Sequence, residues 1–196
     1  MFRMPPATQA LILSCVIVYF AQAAVGLDAF ALWPIGSGEF LPWQLLSYSF
    51  LHGGLSHLVF NMFGLYMFGA ELERVWGARR LLVFYFVSVL CAALAQLGVA
   101  ALSGSMVPTI GASGGLFGLL LGFAMLFPHR KIVPLIPPIP MPAWLFVLLY
   151  GLVELGLGVT GSLNGVAHFA HLGGIAGGWL TLRYWRGQPP FGWGRR

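Results

Sequence analysis

Apolar residues run along this chain in six long blocks, near 8–27, 48–70, 80–102, 112–127, 143–160 and 166–185, separated by short stretches holding the glycines, prolines and charges. A helix rises 1.5 Å per residue, so ~20 such residues cross ~30 Å of hydrocarbon. The blocks show neither the strict alternation of strands nor the one-sided stripe of a soluble helix. They predict an all-α membrane protein with six transmembrane helices. The fourth block is short, about sixteen residues or ~24 Å, and follows a Gly/Ser/Pro loop. That pattern predicts a fourth helix starting inside the membrane. Irregular backbone at that depth survives only where protein buries it or a wet cavity bathes it.

The inner connector from Pro128 to Pro142 holds six prolines in fifteen residues and cannot be helical, so an extended linker is expected. Residues 187–196 read as a short cytoplasmic tail after a single domain at 1–186. Ala21-Gln22-Ala23 resembles a signal-peptidase site, which makes cleavage of the first block an alternative. The apolar run continues past it to Leu27, only one arginine precedes it, and removal would leave an odd number of spans. A retained helix is the favoured reading.

Composition agrees with this picture: 59% hydrophobic, 8% charged, mean hydropathy +0.86. Charge placement supplies an orientation. With the amino terminus inside, Arg3, Arg74, Arg79, Arg80, Arg130, Lys131, Arg183, Arg186, Arg195 and Arg196 all lie on inner segments, while the outer loops carry Asp28 and Glu39. The net charge of +5 is spread over four short segments and forms no nucleic-acid-binding patch. Cys15 and Cys91 have no CxxC spacing and read as small core residues.

Few polar groups interrupt the apolar blocks, and ionisable groups at such depth are functional candidates. Ser113 sits in Gly111-Ala112-Ser113-Gly114-Gly115 and His171 in Ala170-His171-Leu172-Gly173-Gly174. Blocks two, four and six enter from the same side, so His57, Ser113 and His171 are expected in one layer near the outer face. Gly114, Gly118 and Gly122 recur at intervals of four, as do Gly174 and Gly178, and such small-residue faces let membrane helices approach closely. If those stripes meet, Ser113 and His171 approach hydrogen-bonding range, as an activated nucleophile requires. Ser113 opens a helix, whose free N–H groups favour negative charge. His57 and Asn61, at i,i+4, add two neutral donors on one face. His52 reads as structural, bonded to backbone at the outer end.

His168, three residues before His171, is expected to satisfy a loop carbonyl rather than tune the base. Neither a cysteine nor a carboxylate stands at ligand spacing beside the histidines, which argues against a metal cluster. Glu154 is expected as a protonated or hydrogen-bonded group near the outer end of the fifth helix. It is not read as a third catalytic member, and no cofactor or metal is called for.

These motifs together resemble the rhomboid family of intramembrane serine proteases, over nearly the whole chain. His52-Gly-Gly-Leu-Ser-His57-Leu-Val-Phe-Asn61 is similar to the family's second-helix motif, Gly111–Gly114 to its GxSG, and Ala170–Gly174 to the AHxxG of its last core helix. Glu73-Arg-Val-Trp-Gly77 resembles its ExxxG, a structural cap on the inner side. The resemblance implies a prokaryotic six-span form with a Ser113–His171 dyad and an oxyanion hole of His57, Asn61 and the Ser113 N–H. It also implies membrane lipid as surroundings, and as substrates single-span membrane proteins cleaved in or near the outer end of their helix, often at small residues. The implied location is the plasma membrane, termini inside and active site open outward. One departure stands in the loop after the first helix, where many members have Trp-Arg and this chain has Trp43-Gln44. A non-catalytic relative is the competing reading, but such proteins lack the serine or histidine. A transporter would need a polar route inward, whereas Met62–Phe68, Leu119–Phe127 and Ile175–Leu182 are nearly all apolar.

Overall fold

A computed structural model describes residues 3–134, 137–160 and 167–189. The rest of the tail, including Arg195 and Arg196, and the start expected at residue 166 for the last helix lie outside the described residues. The helices are α1 (Pro6–Val25), a single turn α2 (Gln44–Ser47), α3 (Leu55–Gly64), α4 (Ala70–Trp76), α5 (Ala78–Ser103), α6 (Ser113–Leu126), α7 (Ala143–Thr160) and α8 (His168–Trp185). Among the described residues, α1, α5 and α7 are each long and apolar enough to cross a bilayer, and α6 is a shorter apolar helix. Ile17, Phe20, Val59, Phe60, Leu94 and Val153 point outward in the open. In water so many exposed apolar side chains would be a liability, but lipid accommodates them.

The second apolar block differs from expectation. Residues 48–50 form a 3₁₀ turn and Gly53-Gly54 delays the helix to Leu55. It then continues past residue 70, through a π turn at Leu65–Gly69 and into α4. Residues 71–76 are helical despite their charges because Glu73 faces inward. Its Oε1 accepts the Ala7 N–H at 2.9 Å, and its Oε2 accepts the Thr8 N–H at 2.7 Å and the Thr8 hydroxyl at 2.8 Å. A carboxylate there satisfies donors that α1 cannot pair internally and sits at the positive end of its dipole. Four residues on, Gly77 adopts φ 78°, which turns the chain from α4 into α5. The ExxxG spacing thus joins a cap to a turn.

The proline-rich connector folds back on itself. Lys131–Ile132 (β1) pairs antiparallel with Met141–Pro142 (β2), in the register Lys131 to Pro142 and Ile132 to Met141. Proline bars helix here but is tolerated at such an edge.

The core forms where α8 packs against α5 and α6. A Cβ on Gly178 would lie 3.1 Å from the Gly118 carbonyl oxygen, and one on Gly118 would lie 3.0 Å from that of Gly174. The two expected stripes therefore meet backbone to backbone. A second pair was not anticipated: Gly173 and Gly177 seat α8 on α5, where an added Cβ would come within 2.7 Å of the Cys91 backbone oxygen and side chain respectively. Consecutive glycines leave α8 two smooth faces, one for each neighbour.

Candidate active site

Ser113 is the first residue of α6, and the loop before it is held at two points. Leu32 and Thr109 exchange N–H···O bonds of 2.9 Å each, and Gly111 N–H donates to the Tyr48 carbonyl at 2.9 Å. Tyr48 is itself fixed by its hydroxyl, which donates to Val89 O at 2.9 Å. These bonds satisfy loop backbone groups that no helix pairs. Gly111 has φ 128°, and a Cβ there would fall 2.9 Å from His57 Nε2. Only glycine lets the loop pass so close to that ring.

From α8, the fourth residue reaches this loop. His171 Nε2 lies 2.8 Å from Ser113 Oγ. The imidazole lies nearly parallel to the Phe117 ring, with centroids 4.3 Å apart and planes 9° apart. Phe117 is one turn after Ser113 on α6, so the same helix presents the hydroxyl and a flat surface that limits rotation of the imidazole. Sequence reasoning did not single out Phe117; its i,i+4 relation to Ser113 was the available signal.

His57, the third residue of α3, accepts a long bond from Gly53 N–H at Nδ1, 3.4 Å. Asn61 donates one amide hydrogen to the His57 carbonyl at 2.9 Å, leaving its second hydrogen available. Both side chains line a cavity of about 850 Å³ shared with Gln96, Thr109, Ser113 and His171. At ~30 Å³ per molecule that volume could admit many waters. A separate hollow of about 540 Å³, beside Arg3, Gln9 and Leu13, holds no nucleophile.

His52 is fully buried in the turn before α3 rather than on the helix. Gln22 grips its backbone from both sides, donating to the carbonyl at 2.6 Å and accepting the N–H at 3.1 Å. Its Nδ1 is 3.2 Å from the Phe50 carbonyl and its ring stands edge-on to His57 at 5.1 Å, the structural placement expected of it. The departure at Gln44 also finds its reason. This buried amide accepts Trp33 N–H at 3.1 Å and donates to Ala29 O and Glu39 O at 3.1 and 2.9 Å, tying the outer loop to itself.

One expectation needs correction, and another falls on residues that are not described. His168 Nδ1 lies 2.7 Å from the Glu154 carboxylate, while the loop expected to offer it a carbonyl, at 161–166, lies outside the described residues. A carboxylate does stand beside the histidines: α7 packs on α8 and brings Glu154 to both His168 and His171, the three ligand atoms lying within 4.8 Å of one another. Fourteen and seventeen residues of separation hid this, because contact across two helices has no sequence period. Such a trio could in principle hold a divalent cation. Its closest contacts are of hydrogen-bond length, however, 2.7 and 2.9 Å from Glu154 Oε2 to the two Nδ1 atoms.

A helical bundle with an apolar outer surface, in which a serine and an imidazole meet at a cavity lined with several polar side chains, defines a membrane protein. A family profile described as the Rhomboid domain matches residues 39–187. The chain belongs to the rhomboid family. It is 35% identical to the RHOMBOID-like protein 4 of Arabidopsis thaliana over 157 residues, covering 77% of this chain and 36% of that protein. Identity to Rhomboid protein 1, mitochondrial, of Saccharomyces cerevisiae is 33% over 133 residues, covering 67% and 38%. With the rhomboid protease GlpG of Serratia proteamaculans it is 28% over 188 residues, covering 92% and 62%. The chain thus spans less than two thirds of the length of these relatives.

Proposed function

We propose that this protein is an intramembrane serine endopeptidase. The observation that carries the reading is the 2.8 Å contact between His171 Nε2 and Ser113 Oγ, at a cavity that His57, Asn61, Gln96 and Thr109 also line, inside an otherwise apolar bundle. The protease names of GlpG and of GluP from Bacillus subtilis support it. The substrates are single-span membrane proteins whose helix approaches laterally, past α7, and unwinds near its outer end beside Ser113.

His171 takes the Ser113 proton at Nε2 as Oγ attacks the scissile carbonyl. The developing oxyanion is held by the Ser113 N–H at the start of α6, by His57 and by the free amide hydrogen of Asn61, each donor contributing ~3 kcal/mol to barrier lowering. His171 then protonates the leaving amine. Water from the cavity hydrolyses the acyl-enzyme, with His171 as base once more. Six helices crossing the membrane, with both termini on the cytoplasmic side of a plasma membrane and the cavity outward, accord with the inner placement of every basic residue.

A fluorophosphonate probe tests this on the solubilised protein, comparing wild type with Ser113→Ala and His171→Ala. Labelling of the wild type that either substitution abolishes is the expected result. A folded wild type that does not label would overturn the reading and favour a non-catalytic membrane-protein binder.

A further inference from the structure

One ionisable side chain inside the bundle has no part in the mechanism above. Glu154 is the twelfth residue of α7, and only 7% of it is exposed. It shares the buried face of that helix with Val147, while Leu152, Val153 and Leu155 around it face outward. An acid in such surroundings needs partners. Its Oε2 has two: His168 Nδ1 at 2.7 Å and His171 Nδ1 at 2.9 Å, the second off the line of the N–H bond.

The three groups meet with matching chemistry. His171 presents Nε2 to Ser113 and Nδ1 to the carboxylate. A neutral imidazole carries one proton, so a carboxylate at Nδ1 keeps it there and leaves the Nε2 lone pair for the serine. When Nε2 gains the serine proton, the same carboxylate faces the resulting imidazolium. His168 holds the shared oxygen from the other side, its ring 89° to that of His171. Among the described residues, the polar groups that face His171 include Ser113 from α6, His57 from α3, Glu154 from α7 and His168 from its own helix. Glu154 is the one carboxylate among them.

We propose that Glu154 is a positioning residue of this active site, which sets the tautomer and orientation of His171 through Nδ1 and is itself fixed by His168. The proposal rests on the protease reading for its consequence. The proton travels from Ser113 Oγ to His171 Nε2 and on to the leaving amine, while Glu154 stays ionised throughout. A low-charge helix at the outside of the bundle would thus take part in catalysis through one side chain.

The test uses the full chain in detergent, with Glu154→Gln, Glu154→Asp and His168→Gln beside wild type. Two readouts are taken: fluorophosphonate labelling across probe concentrations, and nitrogen NMR of histidine-labelled protein, which reports the tautomer of His171. The expected result for Glu154→Gln is a fall in the maximal labelling rate of about tenfold or more with an unchanged half-saturating concentration. Glu154→Asp should recover part of that rate. His171 should carry its proton on Nδ1 in wild type and lose that preference in Glu154→Gln. Equal maximal rates in wild type and Glu154→Gln would overturn the proposal while leaving the protease reading intact. If wild type itself fails to label, the protease reading falls and the NMR decides: a tautomer indifferent to Glu154 refutes the positioning role, and a dependent one upholds it.

Discussion

Replacing Gly174 by alanine probes whether helix packing delivers the base to the nucleophile. The new Cβ would lie against the Gly114 backbone carbonyl, a group that cannot rotate aside. Ordinary contact begins near 3.4 Å, so α6 and α8 must separate by about 1.5 Å, at a cost of about 3 kcal/mol or more for overpacking. Gly174 is one turn from His171 and Gly114 adjoins Ser113. A separation there lengthens the 2.8 Å Ser113–His171 contact by more than ~1 Å, beyond hydrogen-bonding range. Displacement of that size typically costs ~10²-fold in rate. The assay is the fluorophosphonate labelling rate beside thermal unfolding, with Gly98→Ala as control, since no atom lies within 4 Å of its added Cβ. Gly178→Ala, a turn further inward and with a milder 3.1 Å approach to Gly118, should lose less of the labelling rate. Wild-type labelling in Gly174→Ala, at unchanged thermal stability, would refute the idea that the glycine crossing sets the pair's distance. A variant too unstable to assay leaves Gly178→Ala to decide by the same criterion.

Other expectations concern the surroundings of the pair. Asn61→Ala and His57→Ala should each lower turnover of a membrane-protein substrate by about 10²-fold without abolishing it; unchanged turnover in both would remove them from the oxyanion role. Glu73→Ala should destabilise the fold by about 2–4 kcal/mol by orphaning the Ala7 and Thr8 donors, seen as earlier thermal unfolding, with labelling per folded molecule preserved. Phe117→Leu should slow labelling severalfold by freeing the His171 ring while the probe still modifies Ser113; a faster reaction would contradict the stacking argument.

Much of the helical layout was legible because lipid imposes a simple rule on sequence. Backbone in hydrocarbon must pair within its own segment, so long apolar runs become helices, and α5, α6 and α7 begin and end within two residues of their expected bounds. The second block was misjudged because its ends are set by other elements. Gly53-Gly54 breaks the start, and the charged turn at 71–76 stays helical only because Glu73 finds the amino terminus of α1. The connector's pairing of β1 with β2 was hidden in the same way, since proline says what a segment cannot be.

At the site, small residues around Ser113 and His171 announced the crossing of α6 on α8 that brings the two side chains together, because close backbone approach is a local property that glycine spacing records. By itself the sequence determined an apolar helical bundle and which helices could touch through glycine. Tertiary structure alone decided that Phe117 would stack on His171, that Gly173 and Gly177 would seat α8 on α5, and that Glu154 would sit between two histidines. Those outcomes depend on the rotation of one helix against another. Rotation is set by the sum of many weak packing contacts rather than by any period in the chain.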